Sequence, residues 1–205
     1  MPEQHAIRTL KALRAAEAEC TRCPLYKHAA QAVSGEGPSR ARIMMVGEQP
    51  GDQEDKQGRP FVGPAGNVLE KALEDAGIPR DEVFVTNAVK HFKFEARGIR
   101  RLHKRPNAYE IDQCHWWLDV ERQIVRPELL VALGATAVRS LSGRPLAINK
   151  IRARVIPLSD GGRMLATIHP SYILRIKDEA DKRAQYRRFV ADLKVCAGAL
   201  AKRAA

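Results

Sequence analysis

Short runs of apolar residues alternate along the chain with amphipathic segments of helical period. The apolar runs predict β-strands at residues 42–46, 83–86, 129–133, 152–156 and 164–168. The amphipathic segments predict helices at residues 7–19, 65–76, 108–125, 135–141 and 178–201. Alternation of this kind is typical of α/β folds, and continuously apolar strands are typical of a parallel sheet covered on both faces. We therefore expect a single-domain, three-layer α/β/α fold with a short, mainly parallel central sheet.

Length and composition limit what kind of molecule this is. A chain of 205 residues with 44% hydrophobic residues can bury one sizeable core, so we expect residues 1–205 to form one domain and not a disordered segment. No apolar stretch is long enough to cross a bilayer, and residues 1–14 lack the apolar segment of a signal peptide. The sequence therefore predicts a cytoplasmic protein without a membrane partner, and we expect a monomer.

The charge of the chain points to a polyanionic partner. It carries 35 Lys and Arg against 24 Asp and Glu, a formal net charge of +11. Residues 97–105 hold five basic residues and no acid, and residues 175–203 hold nine basic residues and four acids. Gly98 and Pro106 predict that the first segment is a loop, part of an insertion at about residues 95–106. The second segment is interpreted as a solvated helix face.

Two cysteines have the spacing of a metal or cluster site. Cys20 and Cys23 form a CxxC pair, which brings two thiolates within reach of one metal centre, whereas a disulfide is not expected in the cytoplasm. Cys114 is a candidate third ligand. Cys196 lies among apolar residues of a predicted helix, as a packed core thiol does. The candidates for a histidine ligand are His91 and His115.

Ligand sites in parallel sheets collect at the carboxyl ends of the strands. In this chain that rule selects the turns at residues 47–52, 87–94 and 169–171. The first turn, GEQPGD, is not a phosphate-binding loop, because no Gly-Lys-Ser/Thr follows it. Its acids, Glu48 and Asp52, would repel phosphate, so we interpret them as groups that stabilise a cationic transition state or position a nucleophile. Solvated loop acids are the alternative.

Three further side chains at or near these turns suit recognition of a base. Phe61 lies in a connection rich in Gly and Pro and could stack on a base, with core packing as the alternative. Asn87 ends the second predicted strand, and its amide could both donate to and accept from a pyrimidine edge. His169 presents an imidazole fixed by the proline that follows it. Their complementary chemistry predicts a base-binding pocket.

Four motifs, in this order, resemble those of the iron–sulfur uracil-DNA glycosylases of family 4. They are GEQPG at 47–51, GRPFVGPAG at 58–66, TNAVK at 86–90 and HPS at 169–171. The resemblance extends from about Cys20 to Leu193. Two features are similar to the UdgX group of this superfamily, namely Gln49 in the first motif and an Arg-rich segment that ends at His103. Ile99 departs from the pattern of that group, which usually has Lys there.

The resemblance implies roles for the matching residues. In the turn that lines the pocket, Gly47 and Gln49 would contact uracil, and Glu48, Gln49 and Asp52 would take part in catalysis. Phe61 would stack on uracil, Asn87 would read its edge, and His169 would stabilise the departing uracilate. UdgX-type proteins stay covalently attached to the abasic sugar, so the resemblance implies excision of uracil followed by capture of the sugar at His103.

The resemblance also implies a cofactor and a DNA partner. A [4Fe–4S] cluster would be held by Cys20, Cys23, His91 and Cys114. Uracil-containing DNA, single-stranded DNA included, would be bound through Arg97, Arg100, Arg101, Lys104, Arg105 and Ser171, with free uracil as a product.

Two alternative functions stay open at this point. The first is a multiple-turnover glycosylase of the family 4 type, in which His103 only contacts DNA. The second is a non-catalytic nucleic-acid-binding protein stabilised by a metal. Against the second stands the chemistry of Glu48, Asn87 and His169, which simple strand binding does not require.

Overall fold

The computed structural model describes residues 7–201, with side chains for residues 7–200. This part of the chain does not include residues 1–6, which belong to the segment predicted to lack a signal peptide. It also does not include Lys202 and Arg203 of the basic C-terminal segment. The helices are α1 (Leu10–Ala18), α2 (Asp52–Gln57), α3 (Pro64–Ala76), α4 (Ala108–Val125), α5 (Ala135–Ser142), α6 (Ile148–Ile151), α7 (Pro170–Arg175) and α8 (Glu179–Ala201). The strands are β1 (Ile43–Gly47), β2 (Val83–Asn87), β3 (Phe94–Arg97), β4 (Arg100–His103), β5 (Leu129–Leu133), β6 (Val155–Pro157) and β7 (Arg163–Thr167). Among these helices, none is both long and apolar enough to cross a membrane.

Five of the strands form a central sheet in the order β2-β1-β5-β7-β6. The first four are parallel, and β6 is antiparallel to β7 at one edge. Successive residues of β1 point to opposite faces of the sheet. Ile43 and Met45 pack with α3, α7 and α8, whereas Met44 and Val46 pack with α4 and α5. The predicted three-layer α/β fold with a mainly parallel sheet is therefore confirmed, and burial on both faces explains why its strands are continuously apolar.

The predicted strand at residues 152–156 is wrong in its bounds. β6 begins only at Val155, and Arg152 makes no more than an isolated bridge to Ala166. Between them Ala153 has φ 57°, in the left-handed region, which is incompatible with a strand. The chain therefore turns at this residue and enters the sheet in the antiparallel direction.

The Arg-rich insertion is a β-hairpin, so its prediction as a loop is wrong. β3 and β4 pair antiparallel, with Phe94 opposite His103 and Arg97 opposite Arg100. A two-residue turn joins them, and Gly98 adopts its φ of 58° there without the steric penalty of a side chain. Because side chains alternate along a strand, Arg101 and His103 project from the same face of β4.

A buried ionic network lies beneath β2. The ammonium of Lys90 is fully buried, and its Nζ donates to Glu121 Oε2 at 2.7 Å, to Thr86 Oγ1 at 2.6 Å and to the carbonyl of Asn87 at 3.1 Å. Glu17 from α1 lies 4.0 Å from the same ammonium. Burial by itself lowers the pKa of Lys90, but the two carboxylates outweigh it and raise that pKa. The lysine therefore stays charged and ties α1 and α4 to the end of β2.

The pH dependence of unfolding tests this network. Burial raises the pKa of Glu17 to about 7, against about 4.5 for an exposed glutamate. The folded state therefore holds the Glu17 proton more tightly, and the stability that this confers is complete below about pH 4.5 and lost as the pH rises toward 7. We expect the free energy of unfolding of the wild type to fall by on the order of 2 kcal/mol between pH 5 and 7. In Glu17→Gln this fall should be absent, as measured by urea unfolding at each pH. An unchanged pH profile in the variant would contradict this assignment.

Candidate active site

A cavity of about 940 Å³ opens at the carboxyl ends of the parallel strands. It lies where β1, β2, β5 and β7 end, which is where the strand-end rule placed the site. The structure brings most of the predicted site residues to its wall. These are Glu48, Gln49, Asp52, Phe61, Asn87, His103, Arg105, His169 and Ser171.

The floor of the cavity is built by close packing of β1, β2 and the loop before α3. Gly47 ends β1, and a Cβ placed there would lie 2.3 Å from Asn87 Oδ1 and 2.8 Å from the ring of Phe61. Only glycine therefore allows the amide and the ring to approach the same strand end. Phe61 itself has φ 56° and lines the cavity in a stacked arrangement with His169, with ring centroids 6.2 Å apart.

Glu54 joins the two loops that carry these groups. Its carboxylate is buried and accepts from the backbone N–H of Gly51 at 3.0 Å and from that of Gly63 at 2.8 Å. One oxygen thus holds the end of the first motif, and the other holds the loop that contains Phe61. Sequence reasoning missed this residue, because Gly51 has no side chain to complete a capping box and only the glutamate half of that motif is present.

His169 presents a neutral imidazole to the cavity. Its Nδ1 accepts from the backbone N–H of Ser171 at 3.2 Å and lies 2.9 Å from the Ser171 hydroxyl. Because Nδ1 acts as an acceptor, the ring proton is on Nε2, which is free to donate to a ligand. Burial lowers the pKa of His169 to about 4, and the neighbouring Glu48 offsets this only partly. The ring is therefore neutral near pH 7 and can stabilise a developing anion by donating a hydrogen bond.

His103 reaches the rim of the same cavity from the hairpin. Its Nε2 lies 3.3 Å from Glu48 Oε1, and half of its side chain is exposed. The other oxygen of Glu48 accepts from the buried hydroxyl of Thr136. Burial opposes ionisation of Glu48, but the hydrogen bonds from His103 and Thr136 outweigh it and lower the pKa of this carboxyl. The arrangement pairs an imidazole with an ionised carboxylate, as a nucleophile and its base are paired.

Gln49 fixes the base of the hairpin. Its amide nitrogen donates to the carbonyls of Lys93 and Lys104 at 3.0 and 3.1 Å, and its amide oxygen accepts from the N–H of Lys93 at 3.1 Å. Resemblance implied a catalytic and base-binding role for this residue. The geometry instead favours a positioning role, because the amide is engaged with both strands next to His103.

Asp52 and Arg101 also lock the hairpin. The guanidinium of Arg101 bonds Asp52 Oδ1 and Asp55 Oδ2, each at 2.5 Å, and packs over the rings of Phe92 and Phe94. Hydrogen bonds from Lys56 and, to a lesser extent, from Arg101 lower the pKa of Asp52. The sequence predicts a catalytic role for Asp52 and a phosphate contact for Arg101. In the structure these two residues instead pair with each other.

The remaining residues predicted to bind DNA lie at the surface in different settings. Arg97 and Arg100 are exposed near the hairpin turn. Lys104 pairs with Glu95 at 2.5 Å, and Arg105 is mostly exposed, with Nε 3.3 Å from Thr136 Oγ1. The hydroxyl of Ser171, the remaining predicted DNA contact, lies against the ring of His169.

Three of the four cysteines occupy a separate buried cluster between α1 and α4. Cys20, Cys23 and Cys114 pack together with Trp117 and are all nearly inaccessible. Trp117 Nε1 donates to Cys20 Sγ at 3.0 Å, and the N–H of Lys90 donates to Cys114 Sγ at 3.1 Å. Burial raises the pKa of the Cys23 and Cys114 thiols. Within residues 7–201, no group of three or more His, Cys, Asp or Glu side chains is arranged to hold a metal ion.

The other residues considered as metal or cluster ligands lie in three different settings. His91 is buried and follows directly after Lys90, and burial lowers the pKa of its imidazole, so the ring is neutral. His115 instead pairs with Asp119 at 3.2 Å on the outer part of α4. Cys196 lies in the opposite hydrophobic layer, packed with residues of α3 and β5. These positions favour His91 over His115 and place Cys196 apart from the other three cysteines.

The chain belongs to the uracil DNA glycosylase superfamily. The model of that family matches residues 34–194, which include the whole central sheet and the cavity at its edge.

Several type-4 uracil-DNA glycosylases are similar to this chain. A type-4 uracil-DNA glycosylase of Thermotoga maritima is 40% identical over 159 residues, which are 77% of this chain and 79% of that protein. One from Pyrobaculum aerophilum is 37% identical over 164 residues, 76% of this chain and 80% of that protein. A third, from Sulfurisphaera tokodaii, is 38% identical over 141 residues, 66% of this chain and 60% of that protein.

Proposed function

We propose that this protein excises uracil from DNA and then stays covalently attached to the abasic sugar through His103. The observation that carries the proposal is the contact between His103 Nε2 and Glu48 Oε1, 3.3 Å apart at the rim of the cavity. An ordinary glycosylase needs a water at that position, whereas here a side-chain nucleophile and a carboxylate are already paired. The names of the type-4 relatives support the excision step.

Recognition of the base follows from the cavity wall. The target nucleotide must leave the base stack, or come from a single strand, for its glycosidic bond to be reached. Uracil would stack on Phe61, and the amide of Asn87 would donate to one edge atom and accept from another. His169 Nε2 would donate to a uracil oxygen that gains negative charge as the bond breaks.

Capture of the sugar would proceed in two bond changes. The C1′–N1 bond breaks and its electron pair leaves with uracil, which is held as an anion by His169. With Nε2 donating to Glu48, the lone pair of His103 is on Nδ1, and it forms the new bond to C1′. The Nε2 proton passes to Glu48, so the product is a neutral imidazole N-glycoside. A neutral imidazole linked in this way is a poor leaving group, which explains why the adduct would persist.

The DNA strand would be held by the exposed basic residues around the hairpin. Arg97, Arg100 and Arg105 have the exposure that phosphate contacts require. Arg101 would act differently, by holding the hairpin through Asp52 and Asp55.

A [4Fe–4S] cluster held by Cys20, Cys23, His91 and Cys114 belongs to the proposal, and the donor set fits it. Each ligand of such a cluster binds a different iron, so the four need not converge on one point as the ligands of a single ion do. The sulfurs of Cys20 and Cys114 accept N–H hydrogen bonds and the buried Lys90 ammonium is nearby, which suits anionic thiolates. The group would tie the segment that follows α1 to α4.

Iron content tests the proposed ligand set. We expect about four iron atoms per chain in the purified protein. Cys114→Ser should lose most of this iron and the brown colour, because a ligand is removed. Cys196→Ser is the matched control, since Cys196 is equally buried but lies in the other core layer, and it should keep the iron. Zinc in place of iron, or equal iron in both variants, would contradict the assignment.

The function itself is tested by incubating the protein with a uracil-containing single-stranded oligonucleotide. We expect one uracil released per protein and a shifted band that survives heat and SDS on a denaturing gel. Repeated turnover without a shifted band would replace the proposal with an ordinary glycosylase. Absence of uracil release would favour a non-catalytic nucleic-acid-binding protein.

A further inference from the structure

Thr136 is buried beside the candidate nucleophile and has not been given a role by any motif. It is the second residue of α5, at the carboxyl end of β5, and its side chain is 1% exposed. A buried hydroxyl must find its partners within the protein. Thr136 Oγ1 has two of them, Glu48 Oε2 and the Nε of Arg105 at 3.3 Å.

The direction of these hydrogen bonds is set by chemistry. A guanidinium has donors only, so the Thr136 oxygen accepts from Arg105. An ionised carboxylate only accepts, so the Thr136 proton points to Glu48. Glu48 therefore receives one hydrogen bond on each oxygen, from Thr136 on Oε2 and from His103 on Oε1.

We infer that Thr136 is the positioning residue that holds Glu48 toward His103 and thereby decides whether the sugar is captured by His103 or by water. This inference rests on the proposed function. Thr136 fixes the carboxylate, the carboxylate fixes the ring orientation and tautomer of His103, and the lone pair of that ring is thereby aimed at the sugar. Without the hydroxyl, Glu48 can rotate away, and water competes for the sugar cation.

Excision of uracil should depend on Thr136 much less than capture does. Phe61 and Asn87, which would hold the base, belong to other elements and make no hydrogen bond to Thr136 among the described contacts. The backbone N–H of Ser171 holds the ring of His169 by a hydrogen bond, and the described interaction of that ring with Glu48 is a charge interaction without a hydrogen bond. Thr136 is therefore expected to act on the partition between the adduct and the free abasic product.

The test compares three variants in a single-turnover reaction with uracil-containing single-stranded DNA. The ratio of SDS-stable adduct to uracil released is measured for Thr136→Val, which keeps the shape without the hydroxyl, for Thr136→Ala and for Thr136→Ser, which keeps the hydroxyl. We expect the ratio to fall about tenfold or more in the first two, as for loss of a hydrogen bond to a charged group, and to stay near that of the wild type in the Ser variant.

A pH profile separates this role from a merely structural one. The charged or titratable groups around Glu48 are His103, Arg105 and His169. Since the hydrogen bond from Thr136 helps to lower the pKa of Glu48, its loss should move the acid side of adduct formation to higher pH.

Three outcomes would overturn the inference. They are an unchanged adduct ratio in Thr136→Val and Thr136→Ala, an equal fall in Thr136→Ser, and loss of uracil release in step with the adduct. Failure of the wild type to form any adduct would instead overturn the proposed function, so the two failures are distinguishable.

Discussion

A His103→Ser variant is expected to release uracil and to form no SDS-stable adduct with DNA. Serine is too short to reach the position of the imidazole beside Glu48, and a neutral hydroxyl is a weaker nucleophile than an imidazole nitrogen. Water then attacks the sugar cation, and the variant is expected to release more than one uracil per protein. Denaturing gels and quantification of free uracil from the same reactions measure both effects.

Leu102→Ser provides the matched control for this variant. Leu102 is the neighbouring residue of β4, lies partly exposed on the other face of the strand, and receives the same substitution. It should form the adduct at close to the wild-type level. Persistence of the adduct in His103→Ser would show that another residue captures the sugar.

An Arg101→Met variant is expected to capture DNA about a hundredfold more slowly at saturating DNA, as for misplacement of a reactive group by about 1 Å. Arg101 holds the hairpin against α2 through Asp52 and Asp55, two residues before His103 on the same face of β4. Methionine keeps much of the packing on Phe92 and Phe94 but leaves both carboxylates without this cation. The time course of adduct formation measures the effect.

Arg100→Met serves as the control, because it removes the same charge from the neighbouring position. Arg100 is exposed and projects from the other face of β4. Its loss should weaken DNA binding in a salt-dependent way and leave the rate of capture at saturating DNA unchanged. Equal loss of that rate in both variants would mean that Arg101 acts as a DNA contact and not as a lock.

The strands and helices of the central layer could be predicted because their burial is recorded in the sequence. Strands β1, β2 and β5 are covered on both faces, so each contains an unbroken run of at least three apolar residues, and the helices beside them carry one apolar face. The hairpin could not be predicted in this way. Its strands have only four residues each and are mostly exposed, and they are stabilised by contacts between residues far apart in sequence, Arg101 with Asp52 and Gln49 with Lys104.

Much of the candidate site could also be predicted, because one rule about sheet edges gathers residues that are far apart in sequence. Glu48, Asn87 and His169 each lie at or just after the end of a strand, and the structure places all three at one cavity. The same rule applied to the strand at 129–133 would have drawn attention to Thr136. Its partnership with Glu48 could not be predicted, since it depends on the distance between two neighbouring strand ends.

The contacts of the polar hairpin residues also could not be predicted, because they depend on how the two strands pair. A segment such as RRLHKR shows that its residues are basic, but not which of them face solvent. In the structure Arg101 faces two aspartates while Arg100 faces outward, and only the pairing of β3 with β4 decides this.

Capture of the sugar by His103 is tested most directly by identifying the residue that carries the sugar. The protein is incubated with a uracil-containing oligonucleotide, digested with a protease and a nuclease, and analysed by tandem mass spectrometry. We expect the deoxyribose remnant on His103, with the uracil base absent from the adduct. A remnant on a lysine or on Glu48, or peptides without any remnant, would contradict it.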